Sequence, residues 1–285
     1  MSQARIALVT GGTSGIGAQV GRELAKRGWR VMFVGRDRER GKAMLEQLTA
    51  LASAAGGAAP HCLHADLSAP DELQRVIAEV RRAAPRLDAL IHSAGALFTK
   101  RRESPQGLEL TLATQYLARA TLTRELEPVL QNAPDPRVVF VGAPLMKRAA
   151  INWEDPHYRR RFSLMNAMMQ SQLACHLFVQ EYARRNPTGV AINVANVGIV
   201  KSGLQREMTG PMALVFKLVG ALSAIPAEQG AANSVALASD ERLKGITGHF
   251  FSKPGDPQKH APLQLPADWA ARLWNETDKW AQPQR

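Results

Sequence analysis

The chain has 285 residues, 45% of them hydrophobic, a net charge of +11 and two cysteines. That length suits a single α/β domain with a sizeable core, while two cysteines, Cys62 and Cys175, exclude a disulfide framework and fit a reducing compartment. The charge invites a polyanion, but Arg22, Lys26, Arg27, Arg38, Arg40, Arg184 and Arg185 are scattered through expected helices. The runs Lys100-Arg101-Arg102 and Arg159-Arg160-Arg161 lack interleaved aromatics, so a solvated basic surface is expected and no nucleic-acid partner.

In chain order, the N-terminal MSQARIALVT has no charged-then-apolar leader layout and runs directly into a strand. Short β-branched runs then alternate with amphipathic ones, the pattern of a parallel sheet. Strands are expected at 5–10, 30–34, 60–65, 87–92, 137–141, 190–195 and 247–251, with helices such as 16–27 and 73–82 between them. Pro70, following Ser68 and Ala69, suggests a capped helix start, with Asp71 and Glu72 at the positive end of its dipole. The most apolar stretch, 211–225, is interrupted by Lys217 and too short to span a bilayer, so no membrane span and a cytoplasmic protein are expected. Residues 253–266 read as loop and 267–280 as a surface helix, giving a Rossmann-type domain over 1–252 and a C-terminal extension over 253–285. The fold class expected is α/β, a doubly wound parallel sheet in three layers.

The first strand feeds Thr10-Gly11-Gly12-Thr13-Ser14-Gly15-Ile16-Gly17, where a helix begins. Glycines there let the backbone turn sharply and approach a pyrophosphate, whose charge sits at the helix N-terminus. The strand-before, helix-after context turns a weak glycine signal into a dinucleotide site. The second strand ends at Gly35-Arg36-Asp37. A guanidinium at Arg36 can pair with a 2′-phosphate, which favours NADP(H), whereas the carboxylate of Asp37 could serve the ribose hydroxyls of NAD(H).

Gly11, Gly15 and Gly17 in this spacing resemble the TGxxxGIG motif of the short-chain dehydrogenase/reductase family. Asp66-Leu67 resembles that family's adenine-contacting pair, and Ser93-Ala94-Gly95 its NNAG signature, with His92 and Ser93 at the asparagines. Gly107-Leu108-Glu109-Leu110-Thr111, Glu228-Gln229-Gly230-Ala231, residues 245–251 and Ala271-Arg272-Leu273-Trp274 resemble its retinol-dehydrogenase-like branch. The resemblance covers nearly the whole chain. It implies nucleotide contacts from Gly11, Thr13, Ser14, Gly15, Ile16, Gly17, Arg36, Asp66, Leu67, Ala94 and Gly95. Gly198-Ile199-Val200-Lys201-Ser202 is similar to the PGxxxT segment, so Ile199 and Ser202 are expected at the nicotinamide. A substrate lid is implied over about 203–226, and self-association through the helices containing Gln115 and Ser171.

The family's chemistry rests on an Asn, a Ser and a Tyr-x-x-x-Lys pair, whose i and i+4 positions stack on one helix face so that a cation sits beside the phenol. Here the corresponding positions are Gln115, Ala143 (after Gly142), Met168 and Gln172. The register does not decide this, because four residues after Tyr116, Tyr158 and Tyr182 stand Ala120, Phe162 and Asn186. Arg119 and Arg161 are cations at the wrong spacing. Met168 cannot move a proton and neutral Gln172 cannot depress a phenol pKa, although its amide can bond a ribose hydroxyl. Tyr116, His157, Tyr158 and His176 are the candidate substitute acids, each with a structural role as the plainer alternative.

No metal site is expected. The leading reading is an NADP(H)-dependent reductase acting on a small apolar acceptor that needs no general acid, an iminium ion or a conjugated system. A non-redox cyclase or isomerase, or a silent NADP(H)-binding protein, are the alternatives.

Overall fold

The computed structural model describes residues 4–186, 188–200 and 224–282. Eight strands form one sheet: β1 (Ile6–Thr10), β2 (Arg30–Gly35), β3 (His61–His64), β4 (Ala89–His92), β5 (Arg137–Gly142), β6 (Ala191–Asn196), β7 (His249–Phe251) and β8 (His260–Pro262). Their order is β3-β2-β1-β4-β5-β6-β7-β8, parallel except for β8. The strands are almost continuously apolar because helices cover both faces. Leu8, Met32, Leu90 and Val138 point into one helical layer, Ala7, Val9, Phe33 and Ile91 into the other.

The helices are α1 (Gly15–Lys26), α2 (Arg38–Ala54), α3 (Pro70–Ala83), α4 (Leu110–Leu112), α5 (Ala118–Glu125), α6 (Glu127–Gln131), α7 (Leu164–Arg185), α8 (Ala227–Ser239) and α9 (Ala267–Ala281). Helices α4 and α5 are joined by a π-helical turn, Ala113–Leu117. Helices α1, α2 and α8 place Val20, Leu24, Leu48 and Val235 on one side, and α3, α5, α7 and α9 place Val76, Leu122, Phe178 and Leu273 on the other. The carboxylate of Glu109 starts α4 by accepting from Thr111 and Leu112 N–H at 2.9 and 2.7 Å. At α3 the start differs from expectation. The cap is Ala69, without a side-chain bond, because the Ser68 hydroxyl donates instead to Asp66 at 2.7 Å.

The seven expected strands are present, and the eighth comes from residues expected to be loop. Three residues ending in Pro262 carry no readable alternation, and proline suits an edge strand because it has no N–H to present. Strand β8 pairs antiparallel with β7, Phe251 opposite His260. Helix α9 is more than a surface helix: Ala270, Leu273 and Trp280 are buried in the main core. Trp274 stacks on Phe178 of α7 at 5.4 Å, and the Arg124 guanidinium of α5 lies over the same indole at 4.1 Å. The surface that the resemblance implies for self-association is thus partly occupied by the chain's own α9.

Connections leave β1 toward β2 and β3 on one side and β4 toward β5 and β6 on the other. The loops after β1 and β4 therefore diverge and open a crevice at the carboxyl edge of the sheet, where ligands bind in such folds. If α9 is part of the core, Leu273→Ala should lower stability by about 2–5 kcal/mol, seen in urea as a lower midpoint at unchanged slope. A change within about 0.5 kcal/mol would mean that α9 is surface decoration.

Candidate functional site

The crevice is a cleft of about 690 Å³ lined from the loops after β1 to β6. Its floor is the join of β1 and β4. The buried Thr10 hydroxyl oxygen accepts from both Ser93 and Ala94 N–H at 3.1 Å. Gly11, at φ 68°, runs so close to β4 that a Cβ there would lie 2.8 Å from Ala94 Cα. Gly15, at φ 57°, opens α1, and Ser14 leaves the helix without a side-chain cap, so its first N–H groups are available to an anion. Gly11, Thr13, Ser14, Gly15 and Ile16 line the cleft. Gly17 does not; a Cβ there would lie 2.5 Å from the Gly11 carbonyl oxygen, so its role is the close passage of helix and loop. Such a cradle fits a pyrophosphate.

At the end of β2, Arg36 lines the cleft beside Asp66, 3.8 Å away, and Leu67. Asp37 lines the cleft too, but its carboxylate caps α2 by accepting from Arg40 N–H at 3.0 Å and pairs with the Arg40 guanidinium at 3.3 Å. Arg40 also lines the cleft. Sequence reasoning passed over it, although its position four residues after Arg36, one turn into α2, was a usable signal.

At the opposite end the structure brings together Gln115, Ala143 and Gln172, along with Ala94 and Gly95. Gln172 Oε1 accepts from Ala143 N–H at 3.2 Å, and its Nε2 donates to Gln115 Oε1 at 3.4 Å. Gln115, in the π-helical turn, donates to the Ala96 carbonyl at 2.9 Å, and its own carbonyl accepts from Cys175 Sγ at 3.0 Å. Met168 stands apart, packed with Leu164 against Leu97. Beside Ala143, a Cβ on Gly142 would lie 2.9 Å from Val194 and 3.2 Å from Gln172 Oε1. Ile199 is exposed and does not line the cleft. Ser202 and residues 203–223 of the expected lid lie outside the described residues.

The candidate substitute acids sit elsewhere. Tyr116 is fully buried with its hydroxyl against Thr277 of α9, and burial raises its pKa. Tyr158, at φ 48°, is buried and pushed up to about 12. His157 Nδ1 accepts from Glu109 N–H at 3.2 Å. Tyr182 donates to Glu127 at 3.0 Å. His176 is buried one turn beyond Gln172, behind Gly142, its ring 5.2 Å from Phe250. Among the described residues lining the cleft there is no tyrosine and no lysine.

One cation does reach this end. Arg119, set aside in the sequence as wrongly spaced, lines the cleft and is only 4% exposed. Its Nη1 donates to the Val141 carbonyl at 2.8 Å and its Nη2 to the Ala94 carbonyl at 2.7 Å, bridging the ends of β5 and β4. The signal that could have found it is its place four residues after Gln115 on the same helical run.

This Rossmann order, cradle and paired wall can be compared with known proteins. Residues 5–154 match the short chain dehydrogenase family. The chain belongs to that family. It is 31% identical over 281 residues to retinol dehydrogenase 14 of Mus musculus, covering 94% of this chain and 83% of the relative. It is 33% identical over 293 residues to a protein of Streptomyces antibioticus named a probable oxidoreductase, with 95% of each chain covered. The Mus musculus relative agrees with the retinol-dehydrogenase-like branch that the motifs resemble. The fold is also that of a short chain dehydrogenase from Shigella flexneri solved with NADP, at TM-score 0.66 and 20% identity, over 87% of this chain and 96% of that one. No described helix is long and apolar enough to cross a membrane.

Burial pushes His176 and His157 down to about 4 from the usual 6.5; Ala143 offsets part of this at His176, and Arg159 adds to it at His157. Both are neutral in the folded protein at pH 7, and the unfolded chain takes up their protons first. Stability is therefore complete above pH 6.5 and falls as the pH drops through 6.5 toward 4. Each histidine should cost about 2 kcal/mol by pH 5. Comparing urea midpoints at pH 7.5 and 5 should show this loss, reduced in His176→Phe. An unchanged pH dependence in that variant would remove His176 from the account.

Proposed function

We propose that this protein is an NADP(H)-dependent reductase of a small, apolar, conjugated acceptor whose reduction needs no general acid. The observation that carries this reading is the contrast between the two ends of one cleft. At the adenosine end Arg36 and Arg40 can flank a 2′-phosphate, while the Asp37 carboxylate is held by the α2 N-terminus and Arg40. That arrangement suits NADP(H) better than NAD(H), and the Shigella flexneri neighbour is complexed with NADP.

At the other end the converging groups are the amides of Gln115 and Gln172 and the Ala143 backbone. The bound dinucleotide would supply a hydride there. Gln172 holds its carbonyl oxygen toward Ala143 N–H and one amide proton toward Gln115, which leaves its second amide proton for a ribose hydroxyl. None of these groups can deliver a proton at neutral pH. A simple ketone would become an alkoxide that needs one, whereas a conjugated acceptor spreads the charge. An iminium ion would also need no acid, but the buried Arg119 guanidinium disfavours a cation, so the neutral conjugated acceptor is the better fit. An apolar substrate is favoured by the Mus musculus relative, which is named for retinol.

Two measurements test this reading. NADPH should bind more tightly than NADH by on the order of 1.5–3 kcal/mol, and Arg36→Ala should remove much of the difference in a fluorescence titration. Equal affinities would return Asp37 to the ribose and NAD(H) to the cleft. In turnover, simple ketones and secondary alcohols should be inert, while a neutral enone consumes NADPH at a rate flat between about pH 6 and 8. Robust oxidation of secondary alcohols would overturn the acid-free account. Tight NADPH binding with no turnover of any acceptor would favour a non-redox or silent role.

A further inference from the structure

The charged side chains lining the described cleft fall into two groups. Arg36, Asp37, Arg40 and Asp66 lie at the adenosine end, and Arg119 stands alone at the nicotinamide end. Its two donated bonds go to neutral carbonyls, those of Ala94 and Val141, and its remaining side-chain neighbour is the Cys175 thiol. No described carboxylate pairs with it.

The titratable groups around it do not balance the charge. Thr123 Oγ1 donates its proton to the Arg119 carbonyl at 2.8 Å, so it accepts from His92 Nε2–H at 2.9 Å, and His92 keeps a bare Nδ1. Burial, with Arg119 adding to it, holds the His92 pKa well below the usual range, so that ring is neutral. On α7, burial pushes the Cys175 thiol up to about 11 against the opposing pull of the Arg119 guanidinium, and burial pushes His176 down to about 4, so both are neutral too. A guanidinium keeps its proton in proteins.

We propose that Arg119 makes the cleft discriminate between the two redox states of its dinucleotide, holding the reduced form more tightly than the oxidised one. The inference rests on the NADP(H) reading above. Oxidised and reduced nicotinamide differ by one positive charge on the ring, and the phosphates and adenosine are common to both. A buried cation at the ring's end of the cleft repels the oxidised ring and leaves the neutral reduced ring untouched. A unit charge within about 10 Å, at an effective dielectric near 20, corresponds to an affinity ratio on the order of tenfold. Such a cleft loads reduced cofactor and lets the oxidised product go, which suits turnover in the reductive direction.

The test is calorimetric titration of the full chain with NADPH, NADP+ and 2′,5′-ADP, the last a probe without a nicotinamide. NADPH should bind about tenfold tighter than NADP+, with a ratio constant from pH 6 to 9, since arginine does not titrate there. Arg119→Met should collapse the ratio toward one and Arg119→Lys should keep it, with 2′,5′-ADP affinity unchanged in both. A wild-type ratio near one, a ratio that survives Arg119→Met, or a ratio lost on crossing the histidine or thiol range overturns the proposal. If Arg119→Met does not fold, loss of the ratio in a folded Arg119→Lys overturns it as well. Equal binding of both redox forms defeats this inference alone, and failure to bind any nucleotide defeats the NADP(H) reading with it.

Discussion

The join between the ends of β1 and β4 holds the rest of the site in place. Thr10 accepts two backbone N–H groups from the β4 loop, and Gly11 passes Ala94 at a distance that no side chain would permit. Strand order reverses at this join, so the loops on either side must diverge. The cradle is one wall of the opening and Ala94-Gly95 the other. Arg119 then uses the Ala94 carbonyl as an anchor, so the far end of the cleft inherits its geometry from the same join. A side chain at Gly11 would push the two strand ends apart and widen both ends of the cleft together.

Charge in this protein has two different meanings. Many of the 36 basic side chains lie on exposed faces and pair locally, as in Lys26 with Glu23 or Arg242 with Asp240. Such exposed pairs contribute little to stability. Arg36, Arg40 and Arg119 differ because they line a concave space, where low-dielectric walls concentrate a field. On the NADP(H) reading proposed above, two of these would face the 2′-phosphate and the third the nicotinamide ring.

The C-terminal segment changes the view of the domain. Strand β8 extends the sheet and α9 fills the groove between α5 and α7, so residues beyond 252 share the core with the rest of the chain. Trp274 stacks on Phe178 with the guanidinium of Arg124 against both rings, and the Tyr116 hydroxyl is taken up by Thr277. A phenol that looked like a candidate acid is thereby a packing residue, turned away from the cleft by its tertiary partner.

Features encoded locally were legible in the sequence. The parallel sheet follows from apolar runs alternating with amphipathic ones, and the cradle from glycines between a strand and a helix, because both are properties of a few consecutive residues. Gln115, Ala143 and Gln172 could be placed by motif spacing, and they do converge, through a hydrogen-bonded chain that spacing alone could not show. The short edge strand β8 and the buried face of α9 were not legible, since three residues carry no period and an amphipathic helix does not name its partner. Whether Asp37 serves a ribose or a helix end depended on where α2 begins. The role of Arg119 was decided only by tertiary structure. A guanidinium's meaning depends on whether a carboxylate lies beside it, and here folding brings two carbonyls 25 and 22 residues away in sequence and, among the described residues, no acid.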